Sequence, residues 1–107
     1  MFIETKKFTV KKGYAENIIN KFSRPRNEDD TNERKKPQGL IDVTIMQKLR
    51  KEEHEEVIVM FRWESQEDHK NFKLSDAHKE GHKNKGEKPD FIINVSVDMY
   101  DVKHINM

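Results

Sequence analysis

Five apolar residues in a row, Val57, Ile58, Val59, Met60 and Phe61, place the tightest limit on what this chain can fold into. A run this short, entered from the polar stretch LRKEEHEE and left at Arg62, reads as a strand covered on both faces. A sheet built around it needs a layer on each side. The chain's own helices supply one. The other requires a second apolar surface.

The remaining periodicities supply the neighbours. Residues 2–10 alternate, with Phe2, Glu4, Lys6, Phe8 and Val10 on one face and Ile3, Thr5, Lys7 and Thr9 on the other. Lys12-Gly13 ends that strand. Tyr14, Ile18, Ile19 and Phe22 then recur at helical spacing over about 13–23. Residues 24–38, RPRNEDDTNERKKPQ, hold no apolar residue and are expected to form an exposed loop. After Gly39 a strand is expected from Leu40 to Leu49, with Ile41, Val43 and Ile45 on one face. Ser65 with Asp68 three residues on is a near capping box for a helix over about 66–73. Ser75-Asp76 opens a second, short helix that Gly86 and Pro89 stop. A last strand spans 91–103, with Ile93, Val95, Val97 and Met99 alternating with polar residues.

The order β-α-β-β-α-β is a ferredoxin-like α+β unit with helices on one face of the sheet. Pairing two such sheets face to face would cover the other and give a dimeric α/β barrel. Composition points the same way. The 107 residues suffice for one domain, 1–107, yet only 33% are hydrophobic and 38% are charged. A small domain with so sparse a core gains by burying more surface in a homodimer.

Charge and cysteine content exclude several functions. The net charge is +1, without the basic excess of a nucleic-acid binder. There is no cysteine, so disulfides, thiolate metal sites and cysteine nucleophiles are ruled out. No segment approaches the roughly 20 apolar residues of a membrane span. The N-terminus MFIETKKFTV lacks the apolar run of a signal peptide, which makes a soluble cytoplasmic protein the expectation. No glycine-rich phosphate loop or nucleophile elbow occurs, and Glu55-Glu56 and Asp29-Asp30 read as exposed charge.

Two residue sets remain unusual. His78 and His82 stand one helical turn apart and share a face. Spacing alone leaves three readings open. They are a solvated surface, a zinc pair lacking its third ligand (His69 and Asp76 are near in sequence), or one axial haem ligand. The last needs an apolar slot, for which Phe8, Trp63 and Phe72 are candidates, and Lys83, Lys85 and Lys88 suit propionates. The second set is Lys6 alone. A lysine on the helix-facing side of the first strand must snorkel out, pair, or line a cavity.

Several segments together resemble the small haem-degrading monooxygenases of the IsdG type, and among them the bacillus-type HmoA branch. They are MFIETKKFTVKKG at the start, GLIDVTI at 39–45, EEVIVMFRWES at 55–65, SDAHKEGHKNKG at 75–86, KPDF at 88–91 and VDMYDVK at 97–103. The resemblance implies a dimeric α/β barrel with one haem per subunit between sheet and helices. Haem would be both substrate and oxygen-activating cofactor, used with O2 and an external electron donor, either a reductase or a small reductant. The ring opens and iron is released. On this likeness His82 is the proximal ligand, and His78 has no ligand role. Lys6 stands where better-known members carry a distal asparagine, and Phe72 where they carry a ring-distorting tryptophan. Those two departures keep a haem binder with little turnover in view. A cofactor-free oxygenase of the same barrel, acting on a phenol or quinol, and a barrel that only dimerises are the other rivals.

Overall fold

The structure is a computed structural model that describes residues 1–23, 37–49, 53–75 and 89–107. Six elements follow in order: β1 (Phe2–Lys11), α1 (Ala15–Phe22), β2 (Leu40–Gln47), β3 (His54–Trp63), α2 (Gln66–Lys73) and β4 (Ile92–Asp101). The strands form one sheet in the order β2-β3-β1-β4, every neighbouring pair antiparallel. This is the ferredoxin-like βαββαβ arrangement that the alternations imply. The short helix expected at 75–86 and most of the 24–38 loop, Asp29-Asp30 included, lie outside the described residues.

The period-two pattern decides which side of the sheet the helices cover. Phe2, Glu4, Phe8 and Val10 of β1 are buried, and so are Val57, Val59 and Trp63 of β3. Directly paired residues share a face, so Phe8↔Val57, Lys6↔Val59 and Phe2↔Trp63 carry this side across the central strands. On the opposite side Ile3, Ile58 and Met60 are half-buried, while Met46 and Tyr100 are exposed. The run 57–61 is therefore apolar on both faces, and the described helices cover one of them.

Helix α1 starts at a turn that needs Gly13, whose φ is +93°. Its N-cap residue, Tyr14, offers no side-chain acceptor. A carboxylate from β3 substitutes: Glu55 accepts hydrogen bonds from the Gly13 and Ala15 N–H groups. A negative charge there also complements the helix dipole. Glu55 is thus not the exposed charge expected of it, whereas its neighbour Glu56 pairs with Lys7 at 3.7 Å near the surface. Ala15 and Ile18, with Ile19 and Phe22, pack on Phe8, Val10, Val57 and Val59. Burying Ile18 alone contributes about 1.5–3 kcal/mol.

Helix α2 begins as its near capping box predicts. The Ser65 hydroxyl oxygen accepts from the Asp68 N–H at 3.2 Å, and the hydroxyl donates to the Asp68 carboxylate at 3.0 Å. Gly39, with φ +84°, passes so close that a Cβ there would collide with the Asp68 side chain. This helix lies over a second apolar cluster of Phe2, Leu40 and Trp63, with Phe72 at its margin. Strand β2 departs from simple alternation. An irregularity between Leu40 and Asp42 sets Leu40 opposite Trp63, so Leu40 enters the core and the expected Ile41 is only half-buried.

Candidate active site

The helix-facing side of β1 is apolar at both ends and charged in the middle. Phe8 and Val10 belong to the cluster under α1, and Phe2 to the cluster under α2. Glu4 and Lys6 fall between them. Val43 and Phe61 pack against both clusters, so they mark the seam where the two meet. Lys6 is half-buried at that seam, opposite Val59 on β3 and Val97 on β4. Its ammonium lies 5.5 Å from the centroid of the Phe61 ring, within cation–π range.

The helices leave one flank of this seam open. Val95, Val97 and Met99 of β4 pair with Phe8, Lys6 and Glu4, so they face the helix side. None of the described helices covers them, and Val97 and Met99 remain 47% and 56% exposed. Among the described residues the result is an apolar shelf with the Lys6 cation beside it. A flat, oily ligand with anionic edges matches that chemistry.

The other candidate residues divide into two groups. Phe72 is half-buried on α2, its ring 5.5 Å from that of Trp63, so these two come together. Phe8 packs instead on Phe22 at 5.6 Å, inside the α1 cluster. Phe22 in turn meets Phe61 edge-on at 6.2 Å, which links that cluster to the seam. Trp63 is buried, and its Nε1–H has no hydrogen-bond partner in the structure. His82, Lys83 and Lys85 lie outside the described residues, as do His78, Asp76 and Lys88.

Sequence reasoning passed over the best-defined polar contact on this side. Glu4 and His69 are both buried, with side chains 5% and 7% exposed. The Glu4 carboxylate lies 3.0 Å from His69 Nε2 and 3.3 Å from the Lys73 ammonium. Burial pushes the Glu4 carboxyl pKa up. The His69 hydrogen bond and the charges of Lys73, Lys6 and His69 outweigh it and hold the group below its usual value of 4.5. An ionised carboxylate only accepts, so His69 Nε2 carries a proton and donates it to this bond. The His69 ring also sits 4.9 Å from Phe2 and 5.5 Å from Trp63. His69 is thus a buried partner of Glu4 and not the exposed neighbour of Asp76 that a zinc pair would draw on. Among the described residues no group of three or more His, Asp or Glu is arranged to hold a metal.

The βαββαβ sheet places the chain in the ferredoxin-like class, and residues 1–84 match one family, antibiotic biosynthesis monooxygenase. The chain belongs to that family. It is 44% identical to "Heme-degrading monooxygenase HmoA" of Bacillus subtilis (strain 168), over 98% of this chain and 94% of that one. It is 32% identical to "Heme oxygenase (staphylobilin-producing)" of Staphylococcus epidermidis, over 84% of this chain and 81% of that one. The resemblance to IsdG-type haem degraders is borne out by these relatives. Among solved structures, a crystal structure of an antibiotic biosynthesis monooxygenase from Bacillus cereus superposes with a TM-score of 0.80 and 38% identity, covering 99% of this chain and 96% of that one. The Mycobacterium tuberculosis heme-degrader MhuD, solved with two hemes in its active site, has the same fold, with a TM-score of 0.69 and 15% identity over the full length of both chains.

Proposed function

We propose that this chain is a haem-degrading monooxygenase that takes haem as substrate and, with O2 and electrons from an external donor, opens the porphyrin ring and releases iron. The observation that carries the reading is the seam. A half-buried cation, Lys6, stands beside an aromatic ring and a partly exposed apolar shelf on the helix side of a ferredoxin-like sheet. The 44% identity to a haem-degrading monooxygenase supports the same activity.

The residues take these roles. The His82 imidazole is the proximal ligand, and it must be neutral at the ligating nitrogen to bind iron. Lys83 and Lys85 offset propionate charge. Phe72, backed by Trp63, packs on the porphyrin face, while Phe8 sits one layer further in. Lys6 donates a charge-assisted hydrogen bond on the distal side. Haem itself supplies the oxygen activation when bound; the protein excludes water, orients the macrocycle and holds a proton donor at the Lys6 Nζ.

The reading includes a homodimer. The sheet face away from the helices carries Ile3, Ile58, Met60, Met46 and Tyr100, an apolar patch on the central strands with an exposed margin. Packing it on a second copy closes the barrel. A second functional reading, a haem binder with little turnover, is favoured only by Lys6 and Phe72 standing where asparagine and tryptophan are usual.

One experiment separates the two. Purified protein is titrated with haem and then reduced in air. Steady loss of the Soret band with release of iron to a chelator is the result for the enzyme, and a persistent spectrum is the result for the binder.

A further inference from the structure

The proposed roles leave a buried carboxylate unused, that of Glu4 on β1. Strand β1 is bonded to β3 on one side and to β4 on the other, so it is a fixed base for whatever Glu4 holds. Two side chains of α2 reach the same Glu4 oxygen, His69 Nε2 at 3.0 Å and the Lys73 ammonium at 3.3 Å. They stand one helical turn apart and share a face, and Phe72, three residues after His69, belongs to that face too. The ring contacts agree. The buried Trp63 indole meets His69 edge-on at 5.5 Å and Phe72 at 5.5 Å, so one ring of the sheet touches both helix residues. At the side-chain radius of a helix, about 5–6 Å, a rotation of about 20° carries a side-chain tip about 2 Å. Such a turn breaks the His69 hydrogen bond and displaces the Phe72 ring together.

We propose that Glu4 is a positioning residue for Phe72: by holding His69 and Lys73 to one carboxylate oxygen it fixes the rotation of α2, and with it the face that the Phe72 ring turns to the ligand. The catalytic consequence rests on the haem-degrading reading. A wall that packs on the porphyrin decides how the macrocycle is turned in its slot, and so which bridging carbon is opened. A loosened α2 therefore changes the mixture of ring-opened isomers. A contact that served stability alone would lower the amount of folded protein and leave the mixture as it was.

The test compares Glu4→Gln, Phe72→Leu and the two combined. In haem turnover the ratio of ring-opened isomers, resolved by chromatography, is expected to shift at least about twofold in Glu4→Gln, in the direction that Phe72→Leu shifts it. The combined variant is expected to shift no further than Phe72→Leu alone. A wild-type ratio in Glu4→Gln, or shifts that multiply in the combined variant, overturns the proposal. So does a ratio that Phe72→Leu itself leaves unchanged. The second readout needs no haem. Trp63 is the only tryptophan in the chain, so its near-ultraviolet circular dichroism reports the rings packed on it. Glu4→Gln alters neither ring, and its change in that band is expected to shrink in the Phe72→Leu background. A change of equal size in both backgrounds contradicts the link. If wild-type protein consumes no haem, the functional reading fails and the haem-free readout still decides the link. If Glu4→Gln does not fold, Lys73→Ala, at a partly exposed position, takes its place in both readouts with the same expectations.

Discussion

Glu4 and His69 meet at 3.0 Å across the interface between β1 and α2, both nearly sealed from solvent. This contact and the Lys73 ion pair to the same carboxylate tie α2 to the sheet. Removing the imidazole takes one hydrogen-bond donor from a buried carboxylate and leaves it only Lys73. His69→Ala is therefore expected to cost about 2–3 kcal/mol, measured by urea unfolding. A loss under about 1 kcal/mol would show that water or Lys73 replaces the imidazole.

The same pair predicts an acid limb of stability. The Glu4 carboxyl is held below 4.5 in the folded protein, while the unfolded chain titrates near that value. As pH falls through about 4.5 the unfolded chain gains a proton that the folded protein refuses, so stability drops. Above that range the contribution is fully present. Unfolding curves between about pH 6 and pH 3 are expected to show the drop in wild type and a shallower one in Glu4→Gln.

Under the proposed role for Lys6, Lys6→Ala is expected to slow haem loss about tenfold, with a much smaller change in haem affinity, because a donor on the reacting side would act after binding. Equal losses in both would reduce Lys6 to a propionate contact. Binding titrations and single-turnover rates on the same samples separate the two.

The open sheet face predicts the oligomeric state. Met60→Glu places a charge in the centre of the Ile58–Met60 surface, on the strand at the heart of the sheet. Sedimentation is expected to show a dimer for wild type and a monomer for the variant at micromolar concentration. A wild-type monomer would remove the barrel from the account.

Ser65→Ala tests a local feature. The hydroxyl satisfies the Asp68 N–H at the start of α2, so its loss is expected to cost about 1 kcal/mol. A thermal melt checks this.

Much of this was legible before any coordinates. The alternation in 2–10 and the apolar run 57–61 gave the two central strands, and Ser65 with Asp68 gave the start of α2 to the residue. Lys6 stood out because one charge on an apolar face breaks the pattern. Glu4 broke it too, but its partner lies 65 residues on, and only the rotation of α2 on the sheet tells which of its residues turns inward. Leu40 was missed because a bulge inserts a residue and breaks the period on which alternation depends. Glu55 read as surface charge because nothing local shows that α1 lacks a cap of its own. Phe61 was seen as strand and not as the seam, since two clusters meeting at one ring is a property of packing.

His82→Ala and His78→Ala bear on the axial bond. The first is expected to abolish it and shift the haem spectrum, and the second to leave the spectrum unchanged. If both variants behave alike, the ligand is assigned to the wrong histidine.

The most direct measurement is a haem titration of the purified protein, followed by reductant in air with a ferrous-iron chelator present. The account predicts saturable uptake of haem, then disappearance of the Soret band matched by iron appearing in the chelator. A protein that takes up no haem, or holds it with its spectrum intact while reduced and oxygenated, would contradict it.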